Sequence, residues 1–568
     1  MRPLFPFLTF ALLVLGSVTP PAVAKPNVLM ICVDDLKPLL GCYGDKTIKS
    51  PNIDRLAARG LVFDRAYCNQ AVCAPSRNTL MTGVRPSTLG IYDLGTNFRK
   101  AAPDAITLTQ HFKQQGWKTE GMGKILHVGH GNREDAASWS VPHWPAKSIH
   151  YALPESRAAS GLTREEALFD NKSAQGLPRG AAFESAGVPD TAYGDGQLAE
   201  EAIRRLQATR TTPEVPFFLA VGFVRPHLPF NAPKKYWDLY DGAAFPLPER
   251  RTPPDGAPSY APQSGGELRQ YAGIPERGDL PEDLQRTLIH GYHAAVSYMD
   301  AQLGKVLDEL DRLALTEQTI IVLWGDHGWH LGDHSMWCKH TNYEQATRIP
   351  FMIAAPGTAK AGTHSPAMVE TVDLFPTLLE LAGLPVPAGP LKLEGKSLVP
   401  VLRDATASVK DHVLHVYPRG ARLGRAIRTA THRLVEWKVP GASPDTAEWE
   451  LYDYVNDPLE TKNLAATQPE TVAKLRALLA THPEAKPQWR APAGTESAAR
   501  PDQRSAGPKM DRDAMFTRRD TNADGKLTRE EFLKDQPDPD KAPARFVLFD
   551  TDKDGALSRP EFVKGGKP

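Results

Sequence analysis

The chain has 568 residues, with 67 basic and 67 acidic side chains and a formal net charge of zero. That balance excludes a protein built around a basic nucleic-acid or membrane-surface face, so any anionic ligand must meet a local cluster of cations. The length allows about three to four domains at ~150 residues each, and five scattered cysteines exclude a disulfide-built scaffold.

The N-terminus reads as an export signal. Arg2 precedes a largely apolar run from Phe5 to Val18, and Ala22-Val23-Ala24 is a small-x-small cleavage site ahead of Lys25. The run is shorter than the ~20 residues that span a bilayer, so the expectation is a signal peptide over 1–24, export to the periplasm or the extracellular space, and no membrane span. If Cys73 is set apart, the four remaining cysteines allow one or two disulfides. Cys32, inside an apolar run, reads as a buried thiol.

The next stretch alternates β and α. Val28–Val33 is continuously apolar, as expected of a strand buried on both faces, and Asp34-Asp35 follow at once. Ile53–Arg59 reads as a short helix stopped by Gly60 at its C-cap. Thr119–Met122 leads into Gly123, Lys124 and His127. Phe217–Phe223 is a second buried-strand run, with His227 beyond it. Leu288–Leu313 has apolar residues at helical spacing. Thr319–Trp324 is another strand run, followed by Gly325-Asp326-His327-Gly328. Asp, His or Lys thus stands past each of four strand ends. In open α/β sheets that edge is where ligands bind, so the four predict one assembled site. Asp34-Asp35 and Asp326-His327 contain carboxylates that repel unless a cation neutralises them. A hard divalent ion suits the oxygens and Ca²⁺ is the natural candidate, although the imidazole of His327 suits a transition metal better.

The later chain changes character. Val413–Tyr417, Ala426–Thr431 and His432–Lys438 are short β-like runs, and Thr471–Leu479 reads as a helix. Residues 483–508 are rich in Pro, Ala, Gly and Ser and read as a linker. Then two loops match the EF-hand pattern, starting thirty residues apart. The first has ligand positions at Asp520, Asn522, Asp524, Lys526 (through its carbonyl) and Glu531. The second has Asp550, Asp552, Asp554, Ala556 (again a carbonyl) and Glu561. Gly525 and Gly555 take the sharp turns. Phe516 and Phe546 precede the loops at equal offsets, and Phe532 and Phe562 follow likewise. The expectation is a Ca²⁺-binding EF-hand pair over 509–568.

Cys73-Ala74-Pro75-Ser76-Arg77 fits Cys-x-Pro-Ser-Arg, and the run from Cys73 to Gly83 extends the match. With Pro26–Leu36, Gly123–His127, Phe217–Pro229, Gly325–Lys339 and the late run Glu450–Asp453, the chain resembles the sulfatases of the alkaline phosphatase superfamily. Within them it is most similar to the iduronate-2-sulfatase branch, which shares His at position 327. The likeness runs from about Lys25 to Ala465.

The resemblance implies an α/β fold: a large mixed, mostly parallel sheet flanked by helices over 25–384 and a smaller antiparallel-sheet subdomain over 385–482. It implies that a maturation enzyme converts Cys73 to formylglycine, whose hydrate carries two hydroxyls on one carbon. One attacks sulfur; the other is later deprotonated and expels sulfate. The implied metal ligands are Asp34, Asp35, Asp326, His327 and the modified Cys73. Arg77 would hold the formylglycine, Lys124 and Lys339 would face the sulfate oxygens, His227 would protonate the leaving alcohol, and His127 would act as base for sulfate release. The implied substrate is a sulfated carbohydrate, glycosaminoglycan-like and with a 2-O-sulfated uronate favoured. Alternatives are a phosphonate or phosphate ester hydrolase of the same superfamily, and a non-catalytic calcium-dependent binding protein.

Overall fold

A computed structural model describes residues 25–145, 151–157, 161–491, 512–522, 524–534 and 542–564. The expected signal peptide lies outside them, as does most of the expected linker. The chain divides into two compact units between Arg490 and Ala491.

The first unit is organised by a seven-stranded sheet. Its strands are β1 (Asn27–Val33), β2 (Leu61–Tyr67), β3 (Lys118–Gly123), β4 (Phe217–Phe223), β5 (Thr319–Gly325), β6 (Phe351–Ala354) and β7 (Thr363–Glu370). The spatial order is β7-β2-β6-β5-β1-β4-β3. Only β6 runs against its neighbours, so the sheet is mixed and mostly parallel. The central strand β1 pairs with β4 and β5, with Ile31 opposite Val221 and Leu323.

The apolar run of β1 shows why both faces are covered. Leu29, Ile31 and Val33 enter one core, with Leu303 and Val306 of the long helix α5 (Glu282–Arg312). Val28, Met30 and Cys32 enter the other, with Leu80, Met81 and Phe375. Alternate side chains of a strand point to opposite faces, so a strand buried twice must be apolar throughout.

Some expectations need correction. All five cysteines are free thiols, so the one or two disulfides allowed by their number are not formed. Gly60 does end helix α1 (Pro51–Arg59), but in an extended conformation rather than a left-handed cap. Its need for glycine is close approach: a Cβ there would lie 2.5 Å from the carbonyl oxygen of Ile353 in β6. The packed chain also runs past 482. Lys486 N–H donates to Ser87 O at 2.9 Å, Tyr92 hydroxyl donates to Lys486 O at 2.6 Å, and Ala485 is buried.

The smaller sheet is an antiparallel meander of β8 (His412–Arg419), β9 (Arg422–Thr429), β10 (His432–Lys438) and β11 (Glu448–Asp453). Helix α6 (Pro469–Ala480) packs Leu475 and Leu479 on Ile427, Leu434 and Leu451. The sheet is tied to the loops beyond the main strands. Arg419 donates to the carbonyls of Tyr260 (2.7 Å) and His340 (2.5 Å), and Asn342 Nδ2 donates to Gly424 O at 2.9 Å.

In the second unit, β12 (Lys526–Thr528) pairs antiparallel with β13 (Ala556–Ser558), Leu527 opposite Leu557. The flanking aromatics Phe516, Phe532, Phe546 and Phe562 form its core with both leucines.

Ile31 is wholly buried between β4, β5 and α5. Ile31→Ala is therefore expected to destabilise the first unit by about 2–5 kcal/mol, read as a lower urea midpoint with an unchanged slope.

Candidate active site

The sheet order sets four strand ends side by side: β5, β1, β4 and β3. Asp326 and His327 follow β5, Asp34 and Asp35 follow β1, His227 follows β4, and Lys124 and His127 follow β3. Backbone bonds lock the exits together. Asp34 N donates to Phe223 O at 3.2 Å, Asp326 N to Val33 O at 3.1 Å, and Lys124 N to Gly222 O at 2.8 Å.

Facing this edge is helix α2 (Cys73–Thr82), every residue of which is buried. Cys73 is its first residue, after extended Val72, and Gly83 closes it in the left-handed conformation. Ser76 Oγ donates to Asp326 O at 2.5 Å, which fixes the helix against β5. One turn on from Cys73, Arg77 sends Nε to Asp326 at 2.9 Å and Nη2 to Asp34 at 3.2 Å. Its Nη1 bonds the carbonyls of Lys124 and Ile125. The fork thus clamps three strand exits.

The cations divide between the carboxylates. Lys124 pairs with Asp34. Lys339 Nζ lies 2.8 Å from Asp35 and 3.1 Å from Glu267. Burial would raise the Asp34 carboxyl, but Lys124, His227 and Arg77 outweigh it and hold it well below the ordinary range. Asp35 goes the other way: burial, only partly offset by Lys339 and reinforced by the Asp34 charge, raises it to about 7. Asp326 is also raised, by burial and then by Asp34. Backbone is strained here too, with φ of 58° at Asp35, 73° at Cys338 and 70° at His340, costing on the order of 1 kcal/mol each.

These residues fit a divalent ion. Ligand atoms of Asp34, Cys73, Asp326 and His327 all lie within 4.8 Å of one another, as do those of Asp34, Asp35, Cys73 and His227. Cys73 Sγ is 3.3 Å from His327 Nε2. His327 Nδ1 is 3.0 Å from Gly328 O, and its Nε2 faces Asp35 at 3.4 Å and Asp326 at 3.5 Å. Carboxylates pushed upward by burial need positive charge, and an oxygen-rich pocket suits a hard ion.

The catalytic candidates lie beside the same buried cluster. His127 Nε2 is 3.1 Å from His130 Nδ1 with the rings stacked. Burial, Lys124 and His130 hold His127 well below its ordinary value, so the ring is neutral. His227 Nε2 lies 3.1 Å from Glu267 and 3.9 Å from Asp35. Phe169, at the end of α3 (Arg164–Phe169), packs against His127, His130 and His227, with Lys124 over its ring. Trp329 lies under Lys339 Nζ at 5.1 Å, His330 bonds Asp333 and Thr341, and His334 stacks on Tyr343. Sequence reasoning missed Glu267, Phe169, His130 and His340, which lie in loops or, for Phe169, at the end of a short helix, where no apolar run marks a strand end. The His127–His130 spacing was the one usable signal.

In the EF-hand unit, Asp550, Asp552 and Glu561 bring carboxylate oxygens within 4.8 Å of one another. In the first loop Asp520 accepts from Asp524 N and Gly525 N, Asn522 Oδ1 accepts from Asp524 N, and Glu531 accepts from Thr521 N. Lys526 Nζ reaches Asp554 in the other loop at 2.9 Å, and Lys526 and Ala556 begin the two paired strands.

The sulfatase family model matches residues 26–384. The N-sulphoglucosamine sulphohydrolase C-terminal model matches 332–484, and the EF-hand model matches 512–534 and 544–565. Iduronate 2-sulfatase of Mus musculus is 35% identical over 513 residues, spanning 77% of this chain and 90% of the relative. The Homo sapiens protein is 34% identical over the same spans. Among solved structures, a 2-O GAG sulfatase superposes with a TM-score of 0.60 at 23% identity, covering 80% of this chain and 91% of that one.

Arg77 is wholly buried and spans two buried carboxylates. Arg77→Met should cost about 3–5 kcal/mol by leaving Asp326 without its guanidinium partner and Asp34 with Lys124 alone, seen as loss of stability in chemical denaturation. An unchanged midpoint would mean that the clamp holds nothing.

Proposed function

The chain belongs to the sulfatase family of sulfuric ester hydrolases, and from that premise we propose that it removes sulfate from a sulfated carbohydrate with a formylglycine made from Cys73 by a maturation enzyme. The observation that carries the reading is the enclosure of Cys73 by Asp34, Asp326 and His327, with Lys124 and Lys339 beside them. Asp34, Asp35, Asp326, His327 and the modified Cys73 would hold the active-site ion, for which Ca²⁺ is the candidate. When bound, the ion would supply Lewis-acid chemistry and the aldehyde hydrate a hydroxyl nucleophile.

The remaining work falls to the chain's own side chains. Arg77 fixes Asp34 and Asp326 relative to each other. Lys124 and Lys339 offset charge on the sulfate oxygens as the S–O bond lengthens. His227 donates its Nε2 proton to the leaving oxygen, which an alkoxide requires. His127 is neutral and accepts a proton during sulfate release. The substrate is a 2-O-sulfated uronate at the end of a glycosaminoglycan-like chain, a reading supported by the 35% identity to iduronate 2-sulfatase. The protein acts after export under the signal over residues 1–24, and its EF-hand loops each bind Ca²⁺.

Three outcomes are expected. Mass spectrometry of the tryptic peptide containing Cys73 shows the aldehyde mass, and Cys73→Ala removes hydrolysis while the fold persists. Among defined sulfated disaccharides and their phosphate counterparts, the 2-O-sulfated uronate turns over fastest; preference for a phosphate ester would replace the reaction, and preference for a neutral sugar sulfate would replace only the substrate. Deleting the chain from Lys509 leaves turnover of small sulfate esters unchanged, because the EF-hand loops belong to a compact unit of their own.

A further inference from the structure

A cavity of about 480 Å³ lies in the first unit and shares none of the catalytic candidates or implied metal ligands. One wall is the chain leaving β1: Asp35 belongs to the buried cluster, and Lys37, two residues on, lines the cavity. The Tyr292 hydroxyl stands between them, donating to Asp35 O at 2.9 Å and accepting from Lys37 N at 3.0 Å. Helix α5 supplies Ile289 and His293, the turn around Asp333 supplies Leu331 and His334, and Pro458 and Leu459 close the space from the chain after β11. The volume is that of a small-molecule site and far exceeds a packing void for one water.

Two cations of this lining have no counter-charge. Among the described residues Lys37 Nζ makes no hydrogen bond or ion pair, and the Arg348 side chain uses only Nε, on Asp64 O at 2.9 Å, with its guanidinium over the Tyr43 ring. The carboxylates around them are mostly committed. Asp333 holds His330 and Leu331 N, Glu344 holds Arg428 and Tyr67, and Glu460 holds Arg433 and Tyr454. Asp45 Oδ1 accepts from Thr47 N and Ile48 N at 2.8 Å, and Glu249 is exposed. An ammonium and a guanidinium half-buried without an anion are a site for one. The rest of the wall suits hydroxyls. His293 and His334 are buried, and burial holds each at about 4, so both rings are neutral and each offers one donor and one acceptor. His293 turns Nδ1 to Ile289 O at 2.8 Å, and His334 Nδ1 has no partner. Phe245, Pro248 and Leu331 present apolar surface to the C–H face of a sugar ring.

We propose that this cavity is a second binding site, for a small polyhydroxy carboxylate of the uronic acid class. Lys37 and Arg348 take the carboxylate, and His293 and His334 take hydroxyls. The planar Arg348 fork matches two carboxylate oxygens, which a point charge alone would not select. The site is independent of the sulfate-ester chemistry, because it uses no residue of that cluster.

The test is calorimetric titration of the full-length protein with sodium glucuronate, glucose, acetate and inorganic sulfate. Glucuronate should bind at least about 10-fold more tightly than glucose, which lacks the charge-assisted bonds, and than acetate, which lacks the hydroxyls. That binding should survive Lys339→Ala, which alters the catalytic cluster, and weaken at least about 10-fold in Arg348→Gln and in Lys37→Gln. Arg348→Lys, which keeps the charge and loses the fork, should fall between Arg348→Gln and the unaltered protein. An unchanged urea midpoint shows that a variant is folded. Hydrogen exchange on the unaltered protein needs no variant: glucuronate should slow exchange over residues 245–250 and 331–334, which line the cavity. Several results would each overturn the assignment. They are no saturable binding, equal binding of glucose or acetate, tighter binding of sulfate, and no slowing of exchange over those residues. Binding lost in Lys339→Ala and kept in a folded Arg348→Gln would do the same, by placing glucuronate in the catalytic cluster.

Discussion

The site depends on one buried interaction, the Arg77 guanidinium between Asp34 and Asp326. All three side chains are fully buried. Two carboxylates from adjacent strands could not share so dry a space without a compensating charge. A planar fork satisfies both at fixed geometry, and its remaining donors hold the backbone beyond β3. Helix α2 is thereby locked across the sheet edge. Cys73 is carried on the same helix, so the clamp sets its position, and its Sγ adds a contact to His327 Nε2 at 3.3 Å.

The Asp35 side is built differently. Lys339, His327, His227 and Glu267 surround that carboxylate, and none belongs to a regular strand of the main sheet. Left-handed backbone at Cys338 and His340 on either side of Lys339 turns its amine inward. Arg419 of the smaller sheet bonds the His340 carbonyl and so helps to keep this loop in place. The C-terminal sheet therefore contributes to the candidate site by holding one of its loops. Asp35 remains raised to about 7, by burial that Lys339 does not cancel, and this is where additional positive charge is most needed.

The EF-hand unit follows a simpler logic. Each loop turns its carboxylates inward onto its own backbone amides, and the short ribbon joining Leu527 to Leu557 couples the loops. Four phenylalanines at matched offsets make a core from a repeat too small to bury one alone. Membership in the sulfatase family rests on residues before this unit.

Much of this was legible in the sequence, because the information was local. A strand buried on both faces must be apolar throughout, so β1, β4 and β5 declared themselves, and polar residues just past them marked the catalytic edge. The Cys73–Arg77 motif is five consecutive residues, and each EF-hand loop sets its ligands by spacing along one turn of chain. Sheet order is not local. Nothing along the chain places β3 and β5 on opposite sides of the β1–β4 pair, yet that order decides which strand ends become neighbours. Nor does it show that the Arg77 fork closes on carboxylates about 43 and 249 positions away, or that Glu267 reaches His227 and Lys339 from a loop without periodicity. Cysteine number permitted disulfides, but the fold buries Cys32, Cys68 and Cys338 as separate thiols. The chain alone determined the chemical types present and the strands that carry them. Only tertiary structure decided which charges share one dry pocket, since pairing depends on distance in space and on the loss of water around each group.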